Sequence, residues 1–120
     1  MQPTTHLAAG HRLESADTLE LRTQAAAMHA VLHLITRALD AGLAAPHWEI
    51  HEAGHITAHF HGPRALIGLD AWRRILPHPG GVRSERRLSE IRWTAPATVL
   101  DVPVLLVAIT PASTRTAVSV

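Results

Sequence analysis

The chain contains no cysteine among its 120 residues. Disulfide frameworks, thiol nucleophiles and thiolate metal sites are therefore excluded. It also lacks lysine and tyrosine, and three Trp and one Phe are its whole aromatic complement, so platforms for stacking nucleobases are scarce. The longest uninterrupted apolar run is Val104 to Ile109, far short of the ~20 residues that cross a bilayer as a helix. Residues 1–15 show no basic stretch followed by an apolar one, the pattern of an export signal. The expectation is a soluble, cytoplasmic protein. There is no GxSxG elbow, no Walker loop and no Gly-rich dinucleotide turn. Helix-turn-helix, RNP and zinc-finger patterns are missing as well.

What remains is globular in composition, with 47% hydrophobic and 18% charged residues. A chain of this length builds one modest core. All eleven cationic side chains are arginine, and there are ten histidines, each able to titrate near neutrality or offer a ring nitrogen to a metal. Charge is lopsided: residues 1–62 carry three Arg against six acids, and residues 63–120 carry eight Arg against four.

The pattern predicts a single domain over residues 16–110 between mobile tails at 1–15 and 111–120. From Asp17 to about Ala41, apolar residues (Leu21, Ala25, Met28, Val31, Leu32, Ile35, Ala38, Leu39) recur at three and four, and Arg22, His29, His33, Arg37 and Asp40 take the other side. That spacing predicts an amphipathic helix, with Asp17 as N-cap, Gly42 ending it and Pro46 beyond. From Pro46 to Gly62 the period falls to two. Trp48, Ile50, Ile56, Ala58 and Phe60 are even-numbered, while His47, Glu49, His51, His55, Thr57, His59 and His61 are odd-numbered. A hairpin follows, turning at Glu52-Ala53-Gly54 with Gly54 at positive φ and five histidines on one face. A short helix is expected over Pro63–Leu76, and an exposed loop over Pro77–Arg87. A second hairpin has Ile91–Val99 as its first strand, a turn near Asp101–Pro103 and Val104–Thr110 as its second, with Pro96 marking an edge or bulge. The three Trp fall on inward phases. The fold class is α+β: helix, β-hairpin, helix, β-hairpin, giving an antiparallel sheet of about four strands with helices on one face.

The segments Ala44-Ala45-Pro46, Leu69-Asp70-Ala71-Trp72 and Asp101-Val102-Pro103-Val104 resemble those of small uncharacterised proteins of actinobacteria and their mobile elements. The resemblance spans about Asp40 to Thr110 and implies no activity.

Three constellations could carry function. His51-Glu52-Ala53-Gly54-His55 matches the HExxH pattern of zinc metallopeptidases, and His61 stands where the third ligand of the extended motif falls. On a helix, His51, His55 and His61 would bind zinc and Glu52 would activate water. The even-odd alternation favours the hairpin instead, where His47 with His59, or His51 with His55, could share Zn²⁺, Ni²⁺ or Cu²⁺ across strands, or simply form a polar strip. Secondly, Arg83, Arg86, Arg87 and Arg92 form a basic region able to fork onto phosphate, which makes a nucleic-acid accessory role the further alternative. Thirdly, Val104, Leu105, Leu106, Val107 and Ile109 supply apolar material on both parities, the candidate surface for self-association as a homodimer. The favoured reading is a small non-enzymatic binding or adaptor protein without a cofactor, acting through self-association and a protein partner. A zinc-dependent hydrolase is the rival.

Overall fold

A computed structural model of the chain describes residues 15–112. Among these residues two helices and five strands follow one another as α1 (Ala16–Ala41), β1 (His47–Ile50), β2 (Ile56–Phe60), α2 (Ala65–Ile75), β3 (Arg83–Arg87), β4 (Glu90–Val99) and β5 (Val102–Pro111). The strands form one sheet in the order β1-β2-β5-β4-β3. Neighbours are antiparallel except β2 and β5, which are parallel. The α+β class stands. The expected four-stranded antiparallel sheet is corrected to five strands in a mixed sheet.

Two physical causes explain the difference. β3 lies where a loop was expected, because Arg-Ser-Glu-Arg-Arg carries no apolar alternation. It is an outer strand exposed along its whole length, held by its register with β4, and such charged edges resist pairing with other chains. The parallel contact arises because β5 enters the middle of the sheet, with β2 on one side and β4 on the other. An interior position suits a strand apolar on both parities.

α1 begins two residues earlier than the Asp17 cap implies. Ser15 is the N-cap, its Oγ accepting from the Thr18 amide at 3.2 Å. Gly42 ends the helix in the left-handed conformation as expected. The core-facing set differs from the expected one: Ala27, Ala30, Val31, Leu34 and Ala38 are buried, whereas Leu21, Met28, Leu32 and Leu39 are exposed. Three alanines on the buried side let the helix backbone approach the rest of the core closely.

The hairpin forms in the expected register, pairing His47 with His59 and Ile50 with Ile56. The His51 amide donates to the His55 carbonyl at 2.9 Å and Gly54 takes φ 94°. Ile56 and Phe60 are buried, Trp48 packs partly buried against the core, and Ile50 is on the rim, 36% exposed. α2 packs over the same sheet face through Ala65, Leu69 and Trp72. Glycine is required at position 68 of that helix, since a Cβ there would stand 2.8 Å from Cδ1 of the buried Phe60 ring. Trp72 is the largest wholly buried side chain. Its Nε1 donates to the Ala44 carbonyl at 2.6 Å, and its ring meets Trp48 edge-on at 5.4 Å.

Beyond Thr94, β4 has outrun β3 and becomes an edge. Pro96 sits there, with its carbonyl accepting from the Gly80 amide at 2.8 Å, which agrees with the edge reading of that proline. Leu100 and Asp101, both at positive φ, make the tight turn into β5. Of the expected tails, Ser15 caps α1 and Ala112 is buried; residues 1–14 and 113–120 lie outside the described residues. Among the described residues no helix is long and apolar enough to cross a membrane.

Candidate functional site

Strand parity assigns the side chains to two faces. Ile56, Ala58, Phe60, Ala95, Ala97, Val99, Val104, Leu106 and Ala108 turn toward the helices and form the core. Among the described residues no helix lies over the opposite face. Register alignment across β1, β2, β5, β4 and β3 sets His47, His59, Val107, Thr94 and Arg83 in one row, and Glu49, Thr57, Leu105 and Pro96 in the next.

On the β1–β2 side of this open face the histidines gather around one carboxylate. Nε2 of His59 donates to Oε1 of Glu49 at 3.0 Å, and Nε2 of His51 lies 3.9 Å from the same oxygen. His51 Nε2 also hydrogen-bonds Oγ1 of the buried Thr57 at 2.9 Å. The rings of His51 and His55 stack at 4.0 Å, and His61 meets His47 edge-on at 5.5 Å. The His59 hydrogen bond, aided by the neighbouring imidazoles, holds the Glu49 carboxyl below the usual carboxylate range.

On the β4–β3 side stand Arg83, Arg87 and Arg92, with Glu85 and Glu90 among them by register. Arg87 forks onto Glu85 at 2.8 and 3.1 Å. Arg83 and Arg92 have no ion pair among the described residues. Along β5, between the two banks, run Leu105, Val107 and Ile109. Val107 is 1% exposed, while Leu105 and Ile109 are half-buried. A cleft of about 170 Å³ lies over Val107 and Ile109, lined by His59, Arg87, Glu90 and Arg92. A second of about 500 Å³ lies over Leu105, lined by Arg83, Glu85, Arg92 and Thr94.

No protein-family model, curated protein or solved structure matches this chain.

The residues singled out from sequence are thus partly united and partly dispersed. Glu52 is exposed in the hairpin turn, and His51 and His55 face each other at its end; the helix that would place them one turn apart is not formed. His61 follows β2 and sits nearer to His47 than to that pair. Among the described residues no group of three His, Asp or Glu is disposed to hold a metal ion. His47 and His59 are register partners, yet the His59 ring is taken by Glu49. The arginines divide: Arg83, Arg87 and Arg92 share the open face, while Arg86 pairs with Ile91 on the other parity. Val104 and Leu106 belong to the core, and Leu105, Val107 and Ile109 belong to the open face. Sequence reasoning missed Glu49 as the centre of the histidine bank. The available signal was its odd-numbered place between His47 and His51.

Proposed function

We propose that the protein is a non-enzymatic binding or adaptor module that engages a polypeptide partner through the open face of its sheet and works as a self-associated unit. The observation that carries this reading is the arrangement on that face. Half-buried Leu105 and Ile109, on either side of the buried Val107 on β5, lie between a histidine–glutamate bank and an arginine bank. Such a surface suits a segment that lays apolar side chains over Leu105 and Ile109 and carboxylates toward Arg83 and Arg92, since guanidinium forks onto carboxylate. The few aromatic residues all sit in or against the core, which leaves a nucleic-acid ligand only phosphate contacts and makes it the weaker fit.

Selection of a displayed peptide library on the immobilised protein tests the reading. Enriched peptides should combine apolar and acidic residues, and should lose affinity for the Leu105→Glu/Ile109→Glu and Arg83→Ala/Arg92→Ala variants. Failure to enrich any sequence, or binding that ignores both variants, would refute it.

A further inference from the structure

α1 carries a second apolar face that, Ile35 apart, no other described element covers. Leu21, Ala25, Met28, Leu32, Ile35 and Leu39 are spaced four, three, four, three and four, the alternation of the apolar seam in a coiled coil. The seam extends about 27 Å along the helix, at 1.5 Å per residue. Leu21, Met28, Leu32 and Leu39 are 60–75% exposed. The seam is turned about a third of a revolution from the core-facing set, by the 3.6-residue period, and Ile35 alone packs partly against the core. Arg22, His29, His33, Arg37 and Asp40 fill the remaining side. A helix whose anchoring to its own domain rests on three alanines, one valine and one leucine thus exposes its larger side chains.

We infer that α1 is the self-association surface, pairing antiparallel with α1 of a second copy of this chain. The inference rests on the self-associating part of the proposed function and names its surface. Seam positions are placed symmetrically about Ala30: Leu21 and Leu39, Ala25 and Ile35, and Met28 and Leu32 are each equidistant from it. A two-fold axis on the seam side, at the level of Ala30, therefore sets Leu21 against the partner's Leu39, Met28 against the partner's Leu32, and small Ala25 against large Ile35. Parallel pairing would oppose Ala25 to its own copy and leave a gap. The helix dipoles oppose favourably in the antiparallel arrangement. The chain outside the described residues is a poor alternative cover, since residues 1–14 contain only Leu7 and Leu13 as large aliphatic side chains beyond Met1, and residues 113–120 only Val118 and Val120.

Sedimentation of the full chain across the micromolar range, with nitroxide labels on single introduced cysteines, tests this. The natural absence of cysteine keeps such labelling clean. The expected result is the mass of two chains. Met28→Glu/Leu32→Glu should shift dissociation at least a hundredfold toward the single chain with unchanged helical circular dichroism, because those side chains are already exposed in one copy. Leu32→Ser serves as the milder variant if the double change perturbs the helix. Labels at His29 should report a short inter-copy distance and labels at Thr36 a clearly longer one. A single chain at every concentration would overturn the inference, as would a dimer broken by Leu105→Glu/Ile109→Glu but not by the α1 variants, or equal short distances at both labels. Peptide binding to the sheet face is a separate readout: its loss with an intact α1 dimer counts against the proposed partner site alone.

Discussion

Gly54, in the turn of the histidine hairpin, lies directly against the γ-methyl of Thr23 on α1. A Cβ at Gly54 would overlap that methyl, and the glycine's φ of 94° is one that L side chains rarely adopt. The turn is thus docked onto the long helix at a point where both backbone conformation and space demand glycine.

Gly54→Ala is expected to destabilise the protein by about 2 kcal/mol, through strain at positive φ together with overpacking. Thr23→Ala should recover only the packing part. Urea denaturation of both single variants and the double variant measures this, and strict additivity would show that the contact is immaterial.

Gly68→Ala tests helix propensity against packing. In an open helix the change stabilises by about 1 kcal/mol. Here the new methyl meets the buried Phe60 ring at 2.8 Å, and relieving such overpacking costs about 1–3 kcal/mol. The net expectation is a lower thermal midpoint despite the better helix former; a raised midpoint would contradict the packing account.

Glu49 supplies the pH dependence. Its carboxyl titrates below its ordinary value in the folded protein because His59 donates to it, so folding favours the ionised form. The associated stability is present above the ordinary carboxylate range, about pH 4, and is lost as pH falls through the lowered folded value. Glu49→Gln should therefore be less stable than the parent at neutral pH, with the gap closing under acid. Because the side chain is 55% exposed, added salt should shrink the gap too. A gap that widens on acidification would reverse the assigned sign.

Glu52→Gln should change unfolding free energy by no more than about 0.5 kcal/mol, as expected for an exposed turn residue away from special contacts. Peptide binding should be unaffected as well. Loss of a hydrolytic activity in this variant, with parent-like stability, would revive the zinc-hydrolase alternative.

The hairpin was fully legible in the sequence. Period-two alternation from Trp48 to His61 settles which side chains share a face, and Glu52-Ala53-Gly54 settles the register, because both are local consequences of strand geometry. The same local rules located α1 and its Gly42 stop, α2, and the β4–β5 connection, although the turn falls at Leu100–Asp101 and β5 already begins at Val102. Three things were decided only by tertiary packing. β3 lacks an apolar pattern, so its strand character comes from pairing with β4. The parallel β2–β5 contact joins segments far apart in the chain, beyond the reach of any local signal. On α1, apolar residues cover two adjoining stripes, and periodicity alone does not say which one meets the sheet; close approach through Ala27, Ala30 and Ala38 chose one and left the leucine seam outside. The candidate site divides in the same way. Residue types on each strand were readable, but the meeting of histidine and arginine banks across β5 exists only because β5 inserts between β2 and β4.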